Sequence, residues 1–449
     1  MYMKTIFATL LLSYFRLLAQ IQLIKTQPRI IGITGSAGKS STMEAIAAIL
    51  QEKFKIKVGR KANSESGIPL NILGLSPSNF SLLSWLKLAI QAPLKLLTNW
   101  EKYDFYIVEM GIDSPLPPKN MSYLLTILQP EIGVFTSVDA VHSEPFDHLV
   151  VGKSLAERRD SLVQLIAAEK GKLTKSLPKN GLAVLNADSA VLMENATPTK
   201  AKLMTFGEKH DATIQIDAVN WNKAGTQIVF STAEEKVTLS LNEYLVPHHY
   251  AGTFAAALCV GIYAGLSPYL CCKLLEKNYK LPPGRASLIP AINGATILDS
   301  SYNSSAKPTL DFFELIPHID SKRTLALLGD MRELGSVTQV DHELIAQKAV
   351  KVFDEVVLVG PYMLKYAVPI LKEKNVDVRW FVNAYLAAEY LKTTLKPDDL
   401  LFVKGSQNTL LLEIAIERLM AHPETADGVL CRRGSFWDGE RKKLIQQSH

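Results

Sequence analysis

Thr34-Gly35-Ser36-Ala37-Gly38-Lys39-Ser40-Ser41 is the stretch that decides the reading of this chain. It follows the short apolar run Ile30 to Thr34, which reads as a buried strand, and leads into Met43 to Leu50, which reads as a helix. A tight loop of small residues in that context lets backbone N–H groups wrap phosphate oxygens at a helix N-terminus. Lys39 supplies charge, and the Ser40 hydroxyl can reach Mg²⁺. Thr34 to Ser41 are therefore expected to hold a nucleoside triphosphate. The common form of this motif has glycine at position 33, where this chain has Ile33, so the loop is a shorter variant.

Further along, Tyr103 to Glu109 and Glu131 to Ser137 read as strands that each end in a polar turn, giving an α/β domain with a parallel sheet. Open sheets of this kind bind ligands along the carboxyl edge of their strands. Glu109 closes one strand on that edge and His142 follows another, which makes both candidate metal ligands. The domain is expected to run to about Lys280 and to end with the small-residue helix Ala251 to Ala264. Pro282-Pro283-Gly284 makes a rigid break. Beyond it, Thr324 to Leu328, Val356 to Val359, Val378 to Phe381 and Leu400 to Val403 are short strands alternating with helices, a second α/β unit ending near Met420. Arg432, Arg433, Arg441, Lys442 and Lys443 mark the remainder as a peripheral basic tail.

Ahead of the loop, Thr5 to Ile24 is strongly apolar, yet Thr9, Ser13, Arg16 and Gln20 recur at steps of four, three and four and line one face of an amphipathic helix. Phe80 to Trp100 repeats the pattern with Lys87, Gln91, Lys95 and Asn99, and Pro93 is expected to kink or break it. Two readings stand: segments 5–24 and 80–100 lie in a membrane interface with lysines outward and Trp85 and Trp100 near the headgroups, or they pack on the main domain. Arg16 argues against a full span. The composition, 47% hydrophobic and 21% charged over 449 residues, excludes disordered, collagenous and coiled-coil classes. A net charge of +5 without basic aromatic runs points to no nucleic acid. The 4 cysteines, at no ligand-like spacing, suit a reducing cytoplasm rather than a disulfide framework or a zinc site.

Several ordered segments carry a resemblance. They are the loop, Asn63-Ser64-Glu65-Ser66-Gly67-Ile68-Pro69-Leu70, Val108-Glu109-Met110-Gly111, Ala168-Glu169-Lys170-Gly171, Pro283-Gly284-Arg285, Asp299-Ser300-Ser301-Tyr302-Asn303, Leu328-Gly329-Asp330-Met331-Arg332-Glu333-Leu334-Gly335 and Val403-Lys404-Gly405-Ser406. From about Pro28 to Met420 the chain resembles the Mur ligases, and among them the branch that adds D-alanyl-D-alanine to UDP-N-acetylmuramoyl-tripeptide. The residues ahead of it read as an N-terminal amphipathic helix over 1–27, and the resemblance implies a P-loop central domain over 28–283 with an insertion near 76–102. A Rossmann-like C-terminal α/β domain over 284–421 and a tail over 422–449 follow.

It also implies an ATP-dependent amide ligase of peptidoglycan precursor synthesis. The γ-phosphoryl group passes to a carboxylate, giving an acyl phosphate that the amine of an amino acid or of D-Ala-D-Ala attacks. Catalytic roles then fall to Lys39, Glu109, His142, Lys170 and Arg285. Ser40 would ligate one Mg²⁺, and Glu109 and His142 a second, with Lys170 carbamylated to an anion that helps bind magnesium. Arg285 would clamp phosphate from the hinge, Asp299, Tyr302 and Asn303 would contact nucleotide, and Asn63, Glu65, Asp330, Glu333, Lys404 and Ser406 would face the other substrates. A cytoplasmic monomer is expected, with peripheral membrane contact through the two amphipathic segments as an open alternative.

The chain departs from that pattern in four places. Only residues 1–33 precede Thr34, so no counterpart of the N-terminal domain that holds the UDP-linked substrate is expected there. His249-Tyr250-Ala251-Gly252-Thr253 replaces His-Asn-x-x-Asn, Ser300 stands where the family more often has aspartate with Asp299 as a substitute, and Val151 to Leu165 reads as an extra helical insertion. A UDP-linked acceptor, a lipid-linked acceptor at the membrane and a non-catalytic nucleotide-binding scaffold all remain open.

Overall fold

Runs of Ile, Val and Leu become the centres of two sheets in the computed structural model, which describes residues 2–77, 81–140, 143–150, 154–222, 225–242, 244–406 and 409–446. The first sheet takes β1 (Arg29–Thr34), β2 (Ile56–Val58), β3 (Phe105–Glu109), β4 (Ile132–Phe135), β5 (Leu182–Asn186), β6 (Lys202–Gly207), β7 (Ile214–Asn222), β8 (Gly225–Ser231) and β9 (Lys236–Asn242) in the order β2-β3-β1-β4-β5-β6-β7-β8-β9. Pairing is parallel from β2 to β7, and β3 and β4 are buried along their whole length because helices cover both faces. The parallel sheet expected from the sequence is thus present, but it is extended by the antiparallel run β7-β8-β9, which that reading did not include.

The second sheet takes β10 (Ser287–Pro290), β11 (Thr296–Ser300), β12 (Arg323–Gly329), β13 (Glu355–Val359), β14 (Asp377–Phe381) and β15 (Asp399–Lys404) in the order β10-β11-β15-β12-β13-β14. Only β10 is antiparallel. In the first sheet β1 lies between β3 and β4, so the chain leaves it to one side and later returns on the other, which opens a crevice at the carboxyl end of β1.

The helices α1 (Tyr2–Thr26), α2 (Lys39–Leu50), α3 (Gly67–Leu73), α4 (Leu82–Thr98), α5 (Met121–Ile127) and α6 (Leu155–Lys175) surround the first sheet. One expectation changes here. Pro93 does not break α4: the Ala89 carbonyl that its missing N–H would have served accepts the Tyr14 hydroxyl of α1 at 2.9 Å instead. Helix α1 packs on the protein through Phe15, Leu18 and Ala19, and from its polar stripe Arg16 donates to Thr126 Oγ1 at 3.2 Å and Gln20 to the Thr126 carbonyl at 2.6 Å. Trp85 packs half-buried against Phe15 rather than standing at an outer surface. Of the segment read as an extra helical insertion, residues 151–153 lie outside the described residues and the rest starts α6, which a capping box of Ser154 and Glu157 opens and which continues without interruption through Lys170.

The basic tail is not peripheral. Arg432 is buried 3.1 Å from buried Glu413 and donates to the Ser301 and Tyr302 carbonyls, while Arg441 donates to the Arg432 carbonyl at 2.5 Å. A guanidinium has five donors, and the carbonyls behind β11 and the Glu413 carboxylate use several of them, which holds the tail against the second sheet. The two sheets are also tied to each other. Arg159 on α6 pairs with Asp139 at 2.8 Å and with Asp341, and Asp147 accepts from the Ser336 amide and hydroxyl at 2.9 and 2.8 Å.

Candidate active site

The loop after β1 takes its shape from two glycines and from the segment after β4. Gly38 has φ of 81°, the left-handed conformation that glycine adopts without strain, and it starts α2 there. A Cβ on Gly35 would collide with Thr136 Oγ1. The Ala37 amide donates to Ser137 Oγ at 2.9 Å, and Ser36 Oγ accepts from the Asp139 amide at 2.9 Å. Thr34 lies beneath the loop and donates to the Met110 carbonyl at 2.9 Å, so it ties β1 to the end of β3 without reaching the cavity.

Gly35 to Ser41 line a cavity of about 340 Å³ together with Asn63, Glu109, Asp113 and Lys170 from the first sheet and Arg285, Tyr302, Asn303 and Lys404 from the second. Four basic side chains meet there. Lys39 donates to the Gly35 carbonyl at 2.7 Å and Lys170 to Ser36 Oγ at 3.0 Å. Arg285 donates to Ser40 Oγ at 3.2 Å, and its guanidinium lies 4.4 Å above the Tyr302 ring. Lys404 donates to Ser300 Oγ at 3.1 Å and to the Asn303 carbonyl at 2.9 Å.

Crowding and burial weaken the charge on these amines. Burial pulls Lys39 below its ordinary range; Arg285 adds to that, and Glu109 and Asp113 oppose it. Burial and then the neighbouring Lys39 hold Lys170 well below the ordinary lysine value. Lys404 is pulled down to about 7, by burial first and Arg285 second. Anionic phosphate or carboxylate groups in this cavity would relieve that repulsion.

A second cavity of about 540 Å³ shares Ser36, Ala37, Gly38 and His249 with the first and runs on past Phe206, Ile216, Gly252 and Thr253. Its apolar half has the size and character for a nucleobase. His249 sits between the two, 2.9 Å from Asp311, and burial pulls its imidazole below the ordinary histidine value.

Not every residue expected at the site reaches it. Asp330 is buried with its carboxylate accepting from the Tyr362 and Met363 amides at 3.2 and 2.8 Å; it organises the second sheet, and burial raises it to about 6. Ser406 accepts from the Arg332 amide at 3.1 Å, and the Glu333 carbonyl accepts from Ser143 at 3.0 Å, so that motif joins the two sheets instead of lining the cavity. Asp299 is fully buried, accepts from the Ser301 amide at 2.8 Å and rises to about 6 through burial. Glu65 does not line either cavity. His142 lies outside the described residues. Asp113 was missed, because it follows β3 by four positions in a turn that carries no motif of its own.

Residues 33–261 match the Mur ligase middle domain, and residues 284–407 match the Mur ligase glutamate ligase domain. The chain belongs to the Mur ligase family. The UDP-N-acetylmuramoyl-tripeptide--D-alanyl-D-alanine ligase of Synechocystis is 29% identical over 403 residues, covering 88% of this chain and 76% of that protein. The Bacillus subtilis ligase of the same name is 24% identical over 410 residues, 90% of this chain and 78% of that one. Among solved structures, the MurF ligase of Thermotoga maritima in complex with ADP superposes with a TM-score of 0.71 at 20% identity, over 92% of this chain and 84% of that one. MurF of Acinetobacter baumannii gives 0.71 at 18% identity, over 90% and 79%. At those identities the superpositions speak for the fold.

Proposed function

We propose that this chain is an ATP-dependent amide ligase of cell-wall precursor synthesis, joining a carboxylate on a muramoyl-peptide acceptor to the amine of D-Ala-D-Ala or a single amino acid. The observation that carries the reading is the convergence of Lys39 and Lys170 from one sheet with Arg285 and Lys404 from the other on one cavity floored by the phosphate loop. Relatives named for that reaction at 29% and 24% identity support it.

In this reading the nucleobase occupies the larger cavity and the triphosphate lies on the loop amides at the start of α2. Lys39 and Arg285 leave their hydrogen bonds to the loop and turn to the γ-phosphoryl oxygens. The acceptor carboxylate attacks phosphorus, and ADP departs. We assign Lys404 to the side of the cavity that takes the incoming amine, and Tyr302 and Asn303 to the nucleotide. The amine attacks the acyl carbon, the C–O bond to phosphate breaks, and the amine proton goes to solvent or to the leaving phosphate. Such chemistry needs placement and charge more than a protein nucleophile, and the site has the cations for it.

Among the described residues, no three His, Cys, Asp or Glu side chains gather into a metal site. The oxygen donors at hand, Ser40, Glu109 and Asp113, suit a hard cation, and a carbamate on Lys170 would add another. Ser40, Glu109, Lys170 and His142 are the residues proposed to hold magnesium, which neutralises phosphate charge when bound. The depressed basicity of Lys170 supports the carbamate, since only a neutral amine combines with carbon dioxide.

The test is phosphate release from MgATP with D-Ala-D-Ala and either UDP-MurNAc-tripeptide or its lipid-linked counterpart. Release that requires both acceptor and amine supports the reading. ATP binding without release under any pairing overturns it in favour of a scaffold.

A further inference from the structure

Helices α1 and α4 carry apolar side chains that the fold leaves uncovered. On α4, Leu83, Leu86, Ile90, Leu94 and Leu97 recur at steps of three, four, four and three, one stripe roughly 21 Å long. It is turned away from Ser84, Leu88 and Ala92, the residues that α4 buries. On α1, Leu10, Leu17, Ile21 and Ile24 form a second stripe. Leu83, Ile90, Leu97 and Ile24 are exposed by 78%, 70%, 70% and 72%.

The two helices run the same way, since Tyr14 meets Ala89 and, further along both, Lys25 meets Leu96. At about 100° per residue, both stripes then face the same side of the pair. Each helix already buries one apolar side, Phe15, Leu18 and Ala19 on α1 and Leu88 and Ala92 on α4, so the outward leucines are a second apolar side where a helix on a water-soluble domain carries polar residues. The sequences of α1 and α4 contain Lys4, Arg16, Lys25, Lys87 and Lys95 and no Asp or Glu. Lys87 and Lys95 are exposed on the outer turns of α4, and the exposed Trp100 ring closes its end with Lys25 3.8 Å above it. No helix among the described residues is long and apolar enough to cross a membrane.

We infer that the α1–α4 pair docks this protein on the surface of a bilayer containing anionic lipid, with the two stripes sunk among the acyl chains and the lysines at the headgroups. Apolar area and one-signed basic charge on one helix pair are the two terms that drive interfacial binding. A second copy of the chain is a worse fit, since it would set these basic helices against each other. The inference does not depend on the ligase reading, because it concerns side chains that line neither cavity and is tested without ATP.

The experiment is flotation of the full-length protein with vesicles of phosphatidylcholine alone or with about a third phosphatidylglycerol, at low and high salt. The protein is expected to float with the mixed vesicles and less with the neutral ones. The triple variant Leu83→Gln, Ile90→Gln, Leu97→Gln should lower vesicle affinity by roughly tenfold or more while leaving MgATP affinity and helix content unchanged. The pair Lys87→Glu, Lys95→Glu should abolish the preference for phosphatidylglycerol without touching the apolar stripe. Failure to float, flotation that the triple variant leaves intact, or a dimer in sedimentation that the triple variant dissolves would each overturn the inference.

Discussion

Replacing Arg432 tests whether the C-terminal tail is structural. Its guanidinium and the Glu413 carboxylate are 4% and 0% exposed and 3.1 Å apart. Burial already pushes the Glu413 carboxyl upward, and Arg432 is what holds it back. Arg432→Met leaves that carboxylate uncompensated and also removes the donor from the Ser301 and Tyr302 carbonyls. Breaking a buried pair from one side costs about 3–5 kcal/mol, and uptake of a proton by Glu413 limits the upper end. For a domain of this size that corresponds to a fall of roughly 6–20 °C in the melting temperature of the C-terminal unit. The double variant Arg432→Met, Glu413→Leu should recover most of the loss, because two apolar groups need no partner. Calorimetric melts of the three proteins measure this. A single variant that melts with the wild type, or a double variant no better than the single, would refute the reasoning. The single variant should also bind MgATP more weakly, since Arg432 anchors the segment whose Tyr302 ring packs under Arg285.

Other outcomes follow from the same contacts. Lys39→Met should remove calorimetric uptake of MgATP, because the loop has no second cation to take its place. Lys404, lowered to about 7 in the fold, binds fewer protons there than in the unfolded chain between pH 7 and its ordinary 10.5. Stability should therefore rise with pH across that window, and Lys404→Met should flatten the rise in denaturant titrations. Arg159→Leu strips buried Asp341 of its cation and unties α6 from the second sheet. It should enlarge the radius of gyration in solution scattering and reduce turnover more than nucleotide affinity.

The first half of the site was legible because its signal is local. A strand, a small-residue loop and a helix within Ile30 to Leu50 can be read without tertiary information, and Glu109 stands where an apolar run stops. The strands of the second sheet were legible for the same reason. What was hidden depends on which side chains meet. Asp330 sits in the most specific motif of the chain, yet both its oxygens serve backbone amides of the next crossover. Arg432 looked like solvated charge because Glu413, its partner, is distant in sequence. The polar stripe of α1 was found, but periodicity alone does not say which of the apolar residues beside it, Phe15, Leu18 and Ala19 or Leu17, Ile21 and Ile24, meet the protein. The run β7 to β9 was readable and overlooked: in β9, Val237, Leu239 and Leu241 alternate with Thr238 and Ser240 at the period of a half-buried strand.

The central claim is that a carboxylate oxygen attacks the γ-phosphorus of ATP on this loop. Acceptor labelled with ¹⁸O in its carboxylate, incubated with the enzyme, MgATP and D-Ala-D-Ala, tests it directly by mass spectrometry of the released phosphate. One ¹⁸O atom in each phosphate is the expected result. Unlabelled phosphate would mean that water, not the acceptor, takes the phosphoryl group, and would contradict the account.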